Sequence, residues 1–233
     1  MQGNGLHARG LWRVNVSVTF SKLAVCLLAL AALVIAQPST GTLLKHIEAR
    51  YNHAKTLEVN FVEGYTAQGR TRPSESGTLI LRKPGRMRWD YRQPAGKLFV
   101  SDGRNVWLYT PLDKRVEKAP LSATEDMRAP LAFLLGKLDF QREFKDFSVK
   151  TNTATASWDI VAHASSDRLP YSTIEMTVSP DYSITWLKVT GVDQSVLTFS
   201  FSGEKLNPPV NDAMFKFVMP PGATLASEEA ENR

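Results

Sequence analysis

Mainly antiparallel β structure, one sheet curling on itself with two helical pieces, is the fold class this sequence predicts, and three observations predict it. Short apolar runs, several with period-two alternation, recur from Leu57 to Phe201. Turn-forming residues such as Lys83-Pro84-Gly85, Asp102-Gly103 and Pro180-Asp181 punctuate them. Helical spacing is confined to two stretches, one after Ser39 and one between Leu121 and Phe140.

The N-terminus carries Arg9, Arg13 and Lys22 with no acidic residue, then runs apolar from Leu23 to Ala36. That run is about 14 residues, roughly 21 Å as a helix, short of a ~30 Å hydrocarbon core. With small or apolar residues before Gln37-Pro38, residues 1–36 are expected to be a cleaved secretory signal. Cys26, the only cysteine, sits inside this segment after Val25 and ahead of most of the apolar run, where a lipoprotein signal would not place it. The mature chain is then expected to lack disulfides, thiolate metal sites and cysteine nucleophiles. Removing residues 1–36 leaves 197 of 233, a single domain over 37–225 with a flexible acidic tail over 226–233. It also takes three of the 28 basic residues and leaves 25 against 23 acidic ones, so charge gives no argument for nucleic acid.

Ser39 and Thr40 offer a helix cap, and Leu43, Leu44, Ile47, Tyr51 and Ala54 follow at helical spacing. From Leu57 the period becomes two, with Leu57, Val59, Phe61 and Tyr65 on one face and Glu58, Asn60 and Glu63 read as polar positions. Residues 64–76 read as a polar turn region, and 77–81 as a strand. Arg86 to Arg92 alternates most clearly: Met87, Trp89 and Tyr91 point one way, Arg86, Arg88, Asp90 and Arg92 the other, a solvated or edge-protecting face. Residues 98–100 and 106–109 flank an Asp-Gly hairpin, and 114–118 is a short strand. Leu131, Leu134, Leu135 and Leu138 recur at helical spacing after Pro130. Strands resume at 147–149, 158–161, 174–178, 184–190 and 196–201.

Motifs for chemistry are missing from the sequence. There is no Gly-x-Ser-x-Gly, no Walker loop and no Gly-x-Gly-x-x-Gly. His46 and His53 lie seven apart with no third ligand near, so they read as solvated helix histidines. No enzyme, metal or cofactor is expected. The apolar inventory is what stands out: the sheet face bearing Val59, Phe61, Met87, Trp89 and Tyr91 is either an ordinary core or the wall of a dry cavity for an apolar ligand.

Gly77-Thr-Leu-Ile-Leu-Arg-Lys-Pro84, Arg88-Trp-Asp-Tyr91 with Pro94, Val100-Ser-Asp-Gly103 and Val106-Trp-Leu-Tyr109 resemble the LolA family of periplasmic lipoprotein carriers. Phe61, 130–135, 215–217 and 220–222 extend the resemblance over most of the mature chain. It implies an unclosed barrel covered by a helical lid, with Val59, Phe61, Leu79, Leu81, Met87, Trp89 and Tyr91 lining an acyl cavity and Leu131, Leu134 and Leu135 in the lid. Lys83 falls where the family often has an arginine that latches the lid; a lysine keeps the charge but loses the planar fork. The implied partners are acylated lipoproteins, an inner-membrane ABC transporter that releases them and an outer-membrane receptor, served by a periplasmic monomer that binds no nucleic acid. The alternatives are that receptor itself, or a lipid-sensing regulatory module of the same fold.

Overall fold

The computed structural model describes residues 38–121 and 138–226. Helix α1 (Thr40–His53) opens it, and the Ser39 hydroxyl accepts the Thr42 N–H at 3.2 Å, as the capping residues require. Leu43, Leu44, Ile47 and Tyr51 make its buried stripe. The strands are β1 (Thr56–Ala67), β2 (Arg70–Thr71), β3 (Glu75–Arg82), β4 (Arg86–Gln93), β5 (Leu98–Asp102), β6 (Asn105–Thr110) and β7 (Arg115–Pro120). A helical turn (Phe140–Glu143) leads into β8 (Phe144–Asn152), β9 (Ser157–Ala164), β10 (Tyr171–Val178), β11 (Ile184–Gly191) and β12 (Val196–Leu206). A 3-10 turn (Asp212–Phe215) and the two-residue β13 (Thr224–Leu225) close the described chain.

All the described strands join one sheet in the order β13-β7-β6-β5-β4-β3-β1-β12-β11-β10-β9-β8, with β2 on the end of β1. Two antiparallel meanders therefore meet through β1, which pairs with β3 on one side and β12 on the other. The end strands β13 and β8 do not pair with each other, so the barrel is unclosed. Its curl is measurable. Trp89 on β4 and Phe199 on β12 are three strand spacings apart, ~14 Å in a flat sheet, yet their ring centroids are 5.7 Å apart. Both meanders and α1 thus share one apolar cluster on the concave side.

Local chemistry accounts for the turns. The Asp102 carboxylate accepts the N–H groups of Arg104 (2.7 Å) and Asn105 (2.8 Å), and Gly103 takes φ +94° at the β5–β6 hairpin. Residues 64–76 depart from the expected polar turn region. β1 continues to Ala67 and folds back through Gln68-Gly69, both at positive φ, into β2. The residues are polar because this end of β1 is partly exposed, a condition that hides a strand from a hydrophobicity pattern.

The arginines of β3 and β4 also depart from a merely solvated face. A strap formed by residues 207–226 runs over them. Asp212 pairs with Arg82 and Arg86, Arg88 donates to the Met214 carbonyl at 3.1 Å, and Phe215 is fully buried. Phe217 stacks on Trp107 at 5.9 Å, and β13 then pairs in parallel with β7.

Candidate functional site

The seven residues expected to line a cavity come together on the concave face. Antiparallel register sets them in rows: Leu57, Leu81 and Met87; Val59, Leu79, Trp89 and Phe99; Phe61, Gly77 and Tyr91. Period two sends every one of these side chains to the same side. Phe61 is the hub, with Trp89 edge-on at 4.7 Å and Tyr91 edge-on at 5.2 Å. The Trp89 indole N–H points at the Met87 sulfur, 3.4 Å away, a soft acceptor for a buried donor.

Gly77 makes the third row possible. It sits between Phe61 and Tyr91, where a Cβ would stand 2.1 Å from the Asp90 carbonyl oxygen. The register slips beside it, between Ser76 and Gly77, so β4 approaches β3 closely at this point and the two aromatic rings close over the gap.

All seven residues are 0–5% exposed. Leu43, Leu44, Ile47 and Tyr51 of α1 belong to the same cluster, as do Leu138 and Phe140. The face is therefore packed among the described residues, and a ligand reaches it only if this packing opens.

Polar groups fix α1 over this face, and the sequence reading missed most of them. Tyr51 Oη donates to Glu204 on β12 (2.8 Å) and accepts the Ile184 N–H of β11 (2.8 Å). Burial, then the nearby Glu204 carboxylate, push the Tyr51 phenol far above its ordinary range, so it stays a donor at all physiological pH. Arg50 adds a charge-assisted bond to Glu204 at 2.6 Å and reaches Asp181 at 3.1 Å. Asn52 holds the Leu138 backbone with both side-chain atoms, donating at 2.8 Å and accepting at 2.7 Å, and Glu48 accepts the Phe140 N–H at 2.8 Å. Nothing in residue type singles out Asn52 or Glu48, because their partners lie more than 80 positions away.

Lys83 belongs to this frame. Its ammonium donates to the Tyr51 carbonyl at 2.8 Å, at the C-terminal turn of α1, where a cation complements the helix dipole. Burial lowers its pKa from the usual lysine value. The lid residues Leu131, Leu134 and Leu135, to which the resemblance ties Lys83, lie outside the described residues.

Glu63 is the clearest miss. Read as a polar position, it has the same parity as Phe61 and lies 7% exposed on the concave side, accepting from Tyr91 Oη at 3.3 Å. Its place two residues after Phe61 was the available signal. Beyond Tyr91, Lys97 pairs with Glu75 and sets its ammonium 4.5 Å over the Tyr91 ring. The histidines are engaged locally: His53 Nδ1 lies 2.7 Å from the Ala49 carbonyl, His46 sits against the Tyr182 ring, and His163 meets Thr173.

A protein of Sodalis glossinidius named outer-membrane lipoprotein carrier protein is 27% identical over 197 residues, 84% of this chain and 93% of that protein. One of the same name from Chromobacterium violaceum is 26% identical over 200 residues, 83% of this chain and 91% of that protein. In fold, the chain matches the crystal structure of a conserved protein from Thermus thermophilus with a TM-score of 0.50 at 12% identity, covering 81% of this chain and 99% of that one. The family model "Outer membrane lipoprotein carrier protein LolA" matches residues 52–218, from the last turn of α1 into the strap, and the chain belongs to that family.

Proposed function

We propose that this protein carries acylated lipoproteins through the periplasm, with the acyl chains held against the concave face around Phe61 and Trp89. The observation that supports this best is the continuous apolar surface formed by Val59, Phe61, Leu79, Leu81, Met87, Trp89 and Tyr91 on one side of an unclosed sheet, in a chain of the lipoprotein-carrier family. The need is physical. Each methylene exposed to water costs ~0.8 kcal/mol, so a chain of about 15 methylenes costs about 12 kcal/mol, and an acylated protein leaves a membrane too slowly unaided. A carrier lowers that cost by offering an apolar surface of matching width.

In this reading residues 1–36 direct export and are removed, and the mature monomer is residues 37–225 with a short tail. An inner-membrane ABC transporter loads it and an outer-membrane receptor takes the cargo. Neither step asks the carrier to make or break a covalent bond, in keeping with a sequence that offers no nucleophile and base motif. Lys83, bonded to the end of α1, steadies the closed form.

The test is binding of a purified, chemically defined acylated lipoprotein, measured by co-elution from a sizing column, with its deacylated form as the control. Co-elution of the acylated form alone is expected. Equal behaviour of the two forms would refute the proposal. Substitution must respect packing: Phe61→Leu and Met87→Leu alter the surface at modest cost, whereas a glutamate at either buried position brings an unpaired charge into the core.

A further inference from the structure

Outside the concave face, at the end of the sheet where α1 stops, lies a cavity of about 580 Å³. His53, Lys55, Thr56, Arg82, Lys83 and Asn207 line it. The backbone brings these residues together: Thr56 pairs with Arg82 in the β1–β3 register, the Lys83 N–H donates to the Lys55 carbonyl at 2.9 Å, and the Lys55 N–H donates to Asn207 Oδ1 at 2.8 Å. No carboxylate is among the described lining residues. Asp212, the acid paired with the lining residue Arg82, is shared with Arg86. Lys55 and His53 are exposed, and among the described residues Lys55 makes no ion pair. Lys83 is half-buried, and its only described partner is a neutral carbonyl.

We infer that this cavity binds a phosphate group. Lys55 and half-buried Lys83 have no carboxylate partner among the described residues, and they stand beside Arg82, whose charge Asp212 partly offsets; together they leave a positive potential that a multiply charged oxyanion relieves. Lysine and arginine together supply donors that suit phosphate oxygens. The depressed pKa of Lys83 has burial as its cause, the condition that a bound anion would reverse. The phosphate can come from an anionic lipid headgroup or from a soluble phosphate compound. The cavity is open to solvent beside the β3–β4 turn, so either source can reach it.

Vesicle co-sedimentation and equilibrium dialysis test this on the whole protein, with Lys55→Gln and Lys83→Gln as site variants and Lys150→Gln on β8 as the control. Vesicles of phosphatidylglycerol should be bound and those of phosphatidylcholine should not. Each site variant should weaken binding about fivefold, the worth of one cation at an anionic surface, and Lys150→Gln should leave it unchanged. Inorganic phosphate that competes with the vesicles assigns the headgroup as ligand. Phosphate bound in dialysis without vesicle binding assigns a soluble compound. The inference is overturned if neither binds, if both vesicle types bind alike, or if Lys150→Gln weakens binding as much as Lys55→Gln. Since the cavity lies apart from the concave face, acylated-cargo binding by Lys55→Gln reads the carrier function separately.

Discussion

Gly77→Ala should be among the most damaging small substitutions in the chain. A Cβ there would lie 2.1 Å from the Asp90 carbonyl oxygen, 2.9 Å from the Asp90 carbonyl carbon and 2.9 Å from the Tyr91 Cα. Ordinary contact needs more than 3 Å, so β4 must retreat from β3 by about 1 Å, and these are backbone atoms that cannot swing aside. The retreat weakens neighbouring ladder bonds, about 1 kcal/mol each, and opens the Phe61–Tyr91 contact, about 0.5–1.5 kcal/mol beyond its buried area. Together these give a loss of about 3 kcal/mol. Gly41→Ala is the matched control: it lies in the first turn of α1 with nothing within 4 Å of its added Cβ, and should gain about 0.5–1 kcal/mol from helix propensity. Urea unfolding of both variants against the parent measures the difference. A Gly77→Ala unfolding free energy within about 0.5 kcal/mol of the parent would refute the close approach of β3 and β4.

Asn52→Ala removes two hydrogen bonds to a backbone position that is 1% exposed, and should cost about 2–3 kcal/mol with faster hydrogen exchange at the Leu138 amide; unchanged exchange there would remove Asn52 from the frame. For the strap, magnitudes separate anchor from decoration. Asp212→Ala breaks exposed ion pairs and should cost no more than about 1 kcal/mol. Phe215→Ala empties a buried site and should cost about 3–5 kcal/mol in thermal unfolding; the reverse order would mean that charge holds the strap. Asp102 gives a pH signature. Partial desolvation raises its pKa, but the N–H groups of Asn105 and Arg104 outweigh that and hold it below the ordinary 3.8. A folded pKa below the unfolded one means that the carboxylate stabilises above pH 3.8 and loses that contribution as pH falls through the lower, folded value. The advantage of the parent over Asp102→Asn should therefore vanish in strong acid, and an advantage that grows there would contradict the assignment.

How far the sequence reaches depends on the range of the physics involved. Period two within Met87, Trp89 and Tyr91 is a local property and places all three on the concave face correctly. The Asp-Gly turn and the Ser39 cap are local too, and both are seen. Residues 64–76 fail because the end of β1, residues 64–67, is only partly buried and the apolar pattern fades while the strand continues. Glu63 fails for another reason: its charge suggests solvent, although its parity, shared with Phe61, puts it inward. Asp212, Asn52 and Glu48 act on partners far along the chain, so only the folded topology pairs them with Arg82, Leu138 and Phe140.

The carrier proposal asks a packed face to become a binding surface without unfolding the protein. Burying an acyl chain is worth about 12 kcal/mol at ~0.8 kcal/mol per methylene, comparable to the whole stability of a domain. The opening motion must therefore break few bonds. Lifting the C-terminal half of α1 breaks many: its Arg50, Tyr51 and Asn52 contacts reach β11, β12 and Leu138, and Lys83 holds its last turn to the β3–β4 turn. Widening the curl breaks no strand ladder. Because β8 and β13 do not pair, the described strands of the two meanders meet within the sheet only at β1, whose ladder with β12 already slips between Glu58 and Asn60. Helix α1 and the strap also bridge the meanders and must shift with them. Rotation about that strand pulls Trp89 away from Phe199 while both ladders of β1 stay intact. Phe61 lies on β1 itself, so it stays at the centre of the widened face with an aromatic wall on either side.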